Sequence, residues 1–162
     1  MDIKTGLLLF TAMTSALIAG LFWAFTNSVM PGLAKVSDAA FVSTMQSINR
    51  VILNPIFFLC FLGTAITLPF SIFLEYKTGM SRRFWYITAA TLLYLIGVML
   101  VTMAGNVPLN NSLEAFTIDT AKEGALNQAR SAFENRRNML NNIRTISSVG
   151  ACFFLMLALN TK

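Results

Sequence analysis

Asparagine and arginine carry most of the chemistry this sequence offers. The stretch GNVPLNN (105–111) closes a long apolar run on amides, where lysine and arginine usually anchor one. On the last apolar helix Arg137, Asn141, Arg144 and Ser148 follow i, i+4, i+7, i+11, one continuous polar stripe, with Asn138, Asn142 and Thr145 beside it. Asn49, Arg50 and Asn54 lead into another apolar run, and Asn27 closes the first. Amides and guanidiniums donate hydrogen bonds to ligand oxygens and favour negative charge developing on them. The chemistry expected of such a set is recognition or stabilisation of an oxyanion.

The elements that must position these groups are membrane helices. Of 162 residues 56% are apolar and 12% charged, against about 25% charged in a soluble domain. Four runs, about 3–30, 54–74, 84–104 and 143–159, are long enough as helices to cross ~30 Å of hydrocarbon. The fold class expected is all-α: an integral membrane four-helix bundle formed as one multi-pass domain. The first run has Asp2 against Lys4 at its front and contains Phe22 and Trp23, so it reads as a span rather than a cleaved signal. Between the first two spans Ser37 or Asp38 caps a helix whose Phe41, Met45, Ile48 and Ile52 share one face, expected to lie on the membrane surface. Asn111 to Glu114 has a capping-box pattern, Pro108 argues against a continuous helix there, and a helix from about Asp119 is expected to lead into the fourth span.

Lys77, Arg82 and Arg83 crowd the short second loop, with Lys4 and Lys162 on the same side. The positive-inside rule therefore places both termini in the cytoplasm. Counted from the charged or terminal edge of each span, Asn27, Asn54, Asn106 and Asn142 all lie roughly 30–34 Å away, at one height near the opposite face. The expected site is a polar layer holding Asn49, Arg50, Asn106, Asn110, Asn141, Asn142 and Arg144. Aromatic walls lie below it, and Trp23 and Asn27 pair at i and i+4.

Composition excludes several functions. There is no histidine, which removes bis-histidine haem, copper–imidazole and HExxH zinc chemistry. No carboxylate lies within the apolar runs, against a proton-coupled transporter. Cys60 and Cys152 stand alone in separate spans and read as small hydrophobes. The net charge of +5 in so apolar a chain points to membrane surfaces, not nucleic acid. No metal or cofactor is expected. The partners expected are the membrane, a lipophilic small molecule or lipid, and, as a further candidate, a second copy of the chain.

NVPLN at 106–110, the N-x-R-T of Asn142 to Thr145, the FxxxxMPGL of Phe25 to Leu33 and the INRxxxNP of Ile48 to Pro55 together resemble the anthrone oxygenase-like family of small four-span proteins. Where members often carry a tryptophan before the asparagine of the fourth span, this chain reads RRNMLNNIRT. The resemblance implies oxidation of anthrones to anthraquinones by O2 without metal or flavin. Arg144 or Arg50, with Asn106 and Asn142, would stabilise an enolate oxygen, and the base would be Glu114 or water. The residues leave a second reading open: a non-catalytic membrane protein whose polar layer holds a lipid, quinone or partner subunit.

Overall fold

The computed structural model describes residues 2–118, 121 and 124–161. Among these residues every regular element is helical. The first span runs Ile3–Leu33 as α1 (Ile3–Ala24), a π-helical turn (Phe25–Val29) and α2 (Met30–Leu33). Helix α3 (Asp38–Val51) connects it to the second span, α4 (Pro55–Tyr76). The third span covers Arg82–Glu114: α5 (Arg82–Leu92), π segments at Leu93–Leu100 and Thr102–Asn106, then α6 (Val107–Glu114). The fourth, α7 (Ala125–Asn160), is a single helix.

These four helices are long and apolar enough to cross a membrane, and most of each apolar window faces outward. Leu17, Leu59, Ile66, Ile96, Ile146 and Phe153 are exposed on that outer surface, as a bundle solvated by lipid requires. Inside, Leu8, Ile18, Phe61, Leu68, Ile87, Tyr94 and Leu155 form the membrane core. Because lipid is as apolar as leucine, close packing and small polar bonds must hold such helices together. Thr64 Oγ1 donates to Thr14 Oγ1 across α1 and α4 at 2.8 Å, and Thr11 Oγ1 to Thr67 Oγ1 at 2.8 Å.

Spans three and four touch backbone to side chain. A Cβ placed on Gly97 would lie 2.0 Å from Ser147 Oγ and 2.4 Å from its Cβ, so only glycine permits this approach. Gly97→Val is expected to force the two helices apart and lower the thermal midpoint in detergent, at a cost of about 1–3 kcal/mol.

Three sequence expectations need correction. Helix α3 is capped by Ser37, whose Oγ accepts from Ala40 N. Its apolar face, however, is turned to protein and not to the membrane surface. Phe41, Val42 and Met45 pack with Met30, Leu113 and Phe133 in a second core, because α6 and α7 project far enough past the membrane core to cover that face. Pro108 does not end the third span. The π turn at Thr102–Asn106 precedes it, and the ring falls where the hydrogen-bond ladder has already been shifted. Pro31 follows the other short π turn, Phe25–Val29, at the same spacing. Asn111 to Glu114 therefore end α6 rather than start a helix, and α7 begins at Ala125, later than the sequence suggests. Asp119 itself lies outside the described residues.

Above the second core Arg130 ties the connection after the first span to α7. Its guanidinium donates to Asp38 Oδ1 at 2.8 Å, to Val36 O and to Ala34 O, and pairs with Glu134. The bonds from Arg130 and from Asn127 hold the Asp38 carboxyl below its ordinary 3.8. A depressed folded value means that the contribution is complete above the unfolded value and is lost as pH falls through the folded one. The midpoint difference between wild type and Asp38→Asn, present at pH 6, is thus expected to shrink as pH drops below 3.8. Thermal scans across that window check it.

Candidate functional site

The polar stripe of α7 meets an antiparallel polar stripe on the third span. Thr102, Asn106 and Asn110 recur at i, i+4, i+8, rising outward while Arg144, Asn141 and Arg137 rise outward on α7. The two stripes face one another across a cavity of about 90 Å³. Leu21, Phe22, Phe25 and Phe57 supply its apolar wall, and Asn49 comes in from α3. Phe57 stacks on Phe61 with centroids 5.1 Å apart, which joins the wall to the membrane core.

Each guanidinium is held from one side. Arg144 donates from one Nη to Asn141 Oδ1 at 2.8 Å and lies over the Phe22 ring at 4.3 Å. Arg137 donates to Asn110 Oδ1 at 2.8 Å and lies between the rings of Phe25 and Phe133. Both arginines are only 6% exposed, and neither pairs with a carboxylate among the described residues. The Nε atoms of both, Asn49 Nδ2, Thr102 Oγ1 and both side-chain atoms of Asn106 are buried with no protein partner. Buried polar groups are ordinarily bonded. Six such atoms belong to residues that line this one cavity.

Asn141 plays a different part. Its Nδ2 donates to Phe22 O at 3.1 Å and to Thr26 Oγ1 at 2.8 Å, while its Oδ1 accepts from Arg144. All its capacity toward the cavity is spent on fixing the first span beside its π turn and aiming Arg144. It is a positioning residue. Asn141→Leu is expected to release both Arg144 and the first span and to lower the thermal midpoint in detergent, with part of it restored in Asn141→Gln. Thermal scans of both variants check this.

The structure brings Asn49, Asn106, Asn110, Asn141 and Arg144 of the expected layer into one lining and disperses the rest. Trp23 is 58% exposed and Asn27 is exposed too. The inward stripe of the first span is Phe22, Thr26 and Met30, one position earlier, so the Trp23–Asn27 pair faces away from the cavity. Asn142 is exposed and lines a separate depression with Thr26, Asn138 and Asn141, its Oδ1 3.4 Å from Thr26 Oγ1. Asn54 caps α4, its Oδ1 accepting from Phe57 N at 3.0 Å. Arg50 pairs with Glu114 outside the cavity. That pair borders an outer depression of about 190 Å³ which shares Asn49, Leu53, Val107 and Asn110 with the inner cavity. The exposed Leu53 and Val107 form the mouth between the two. Arg137, which the i, i+4, i+7 stripe of α7 already marks in the sequence, and Thr102, which the sequence does not mark, also line the cavity.

No cluster of histidine, cysteine and carboxylate side chains able to hold a metal occurs among the described residues, and Cys60 and Cys152 are buried and unpaired. No curated protein and no solved structure matches the chain. The profile of the family Anthrone oxygenase matches residues 41–154. That stretch contains every polar residue of the cavity, from Asn49 through Thr102, Asn106 and Asn110 to Arg137, Asn141 and Arg144. By that match over most of its length, the chain belongs to the anthrone oxygenase family.

Proposed function

We propose that the cavity binds the anionic oxygen of a lipophilic, polycyclic aromatic substrate and promotes its oxidation by O2 without a bound cofactor. One observation carries this reading: two buried guanidiniums without carboxylate partners, beside an unsatisfied amide, over an aromatic wall. Such a site favours an enolate over its neutral ketone, since fixed donors in a water-poor setting act where charge develops.

The reaction would run as follows. A C–H proton leaves the ring carbon opposite the ketone, and the enolate oxygen takes the charge against Arg144, Asn106 and Thr102. The electron-rich carbon transfers an electron to O2 and forms a C–O bond, giving after proton uptake a hydroperoxide. Loss of the remaining hydrogen from that carbon, with cleavage of the O–O bond, yields the new ketone and water. One oxygen atom ends in the product and the other in water.

At about 90 Å³ the inner cavity is smaller than the roughly 300–1,000 Å³ of sites that enclose a drug-sized ligand. It encloses the oxygen-bearing edge, and the remaining rings extend through the Leu53–Val107 mouth. Among the described residues no carboxylate lines the inner cavity, and Glu114, in the outer depression, is engaged by Arg50. The guanidinium, by stabilising the enolate, makes the substrate C–H acidic enough for its proton to leave to water. The same observation favours a second reading, in which the site holds a lipophilic anion without turning it over.

Oxygen uptake separates the two. Purified, metal-stripped protein given a simple anthrone under 18O2 is expected to consume one O2 per quinone formed and to place the label in the new carbonyl. A rate equal to buffer, with the anthrone bound but unchanged, rejects the oxygenase and leaves the binding protein.

A further inference from the structure

Every carboxylate described on the outer half of the molecule is already committed. Asp38 and Glu134 hold Arg130, and Glu114 holds Arg50. Arg137 and Arg144 are left with amides and aromatic faces alone, each 6% exposed. Guanidinium stays protonated in proteins, so the cavity carries two like charges on one helix seven residues apart. Buried charge is tolerated only when paired, and near a membrane the requirement is stricter. In place of a counter-charge, the residues that line the cavity carry buried donors with no protein acceptor. Arg137 Nε, Arg144 Nε, Asn49 Nδ2 and Asn106 Nδ2 are all buried without a protein acceptor, and Thr102 Oγ1 is also unbonded.

We infer that this cavity is a binding site for a small monovalent inorganic anion, of the halide or nitrate class, held by Arg137, Arg144, Asn106 and Asn49. The chemistry fits in three ways. N–H donors from amide and guanidinium are the groups that replace the hydration shell of a weakly hydrated anion. The cavity, at about 90 Å³, suits an ion of that size with little room for a phosphate and its lipid. Its aromatic wall, Phe22 with Phe57, brings no side-chain acceptor to compete with an anion for those donors. The anion neutralises the arginines between ligands, and an anionic organic ligand must displace it. The site is thus an anion site whether or not the proposed oxidation occurs.

The test does not depend on turnover. Thermal unfolding of the full chain in non-ionic detergent is followed in sodium bromide or nitrate against sodium gluconate at equal ionic strength. Bromide and nitrate are expected to raise the midpoint, by roughly 3–5 °C for each tenfold rise above the dissociation constant. Arg137→Gln with Arg144→Gln is expected to abolish the dependence. Should that pair of changes prevent folding, Asn106→Leu is the second variant and is expected to weaken the response at least tenfold in concentration. Broadening of the 35Cl resonance by wild-type protein, reversed by nitrate, gives an independent reading. Equal midpoints in bromide and gluconate, or a response that survives in both variants, would overturn the inference. So would an acidic lipid that co-purifies tightly and leaves the protein indifferent to halide.

Discussion

On the proposed function, Arg144→Gln is expected to lower the rate of anthrone oxidation by about 10²–10³, or about 2.7–4 kcal/mol of transition-state stabilisation, while leaving the protein, in buffer free of halide and nitrate, at least as stable as wild type. Loss of function with stability kept is the informative combination. Arg144 is buried, its charge has no carboxylate partner among the described residues, and only one of its donors is satisfied, by Asn141. A guanidinium placed for fold stability would be paired. Replacing a buried unpaired charge by a neutral amide removes a desolvation cost and should not harm the bundle. Chemistry should suffer because the enolate loses the group that favours it over the ketone. The loss is then expected in kcat more than in KM, since the neutral ketone gains less from the charge than its anion does. Raising the pH should recover part of the rate in the variant, as hydroxide takes over proton removal. Arg144→Lys should fall between the two, keeping the charge but losing the planar fork. Equal kcat in wild type and Arg144→Gln would remove Arg144 from the reaction.

The membrane fold is legible because it depends on the quantity sequence records best, the length of uncharged apolar runs. Four such runs sufficed for four helices. The site was legible only in part, and the misses share a cause. Asn141 and Asn142 are adjacent and identical in type, and the two α7 stripes differ by one helical step of about 100°. Which stripe faces inward is decided by what packs against it. Phe22 O and Thr26 Oγ1 of the first span accept from Asn141, and Asn142 is left outside. Trp23 and Asn27 fail for the same reason, one position out of phase with Phe22 and Thr26. Asn54 carried a sequence signal that points away from ligand binding, an asparagine before proline at the start of an apolar helix, and capping is what it does. The π turns are harder still. Each shifts the phase of everything beyond it, and a periodicity of 3.6 gives no sign of where that happens.

Asn106→Leu is expected to stabilise the protein by about 1–3 kcal/mol and to abolish ligand binding and turnover together. Asn106 is 1% exposed, yet neither Oδ1 nor Nδ2 finds a protein partner. Folding strips its amide of water and returns no hydrogen bond from the chain, so the fold bears the cost of an unsatisfied donor and acceptor. Leucine replaces both with apolar surface against Leu21, Phe22 and Phe57, and its extra volume can enter the adjoining cavity. The gain should appear as a midpoint raised by several degrees in detergent and gluconate buffer free of halide and nitrate, at matched pH and ionic strength. The parallel with Arg144 is physical: both residues keep buried polar atoms that the chain itself does not bond, the pattern expected where stability is given up to keep a ligand site ready. Asn110, which accepts from Arg137, is the internal contrast. It is the same residue type one turn outward and its bond is made, so Asn110→Leu should destabilise by freeing Arg137. Opposite signs for the two substitutions would mark Asn106 as reserved for a ligand. A loss of stability in both would mean that the Asn106 amide is bonded in the resting protein and belongs to its structural network.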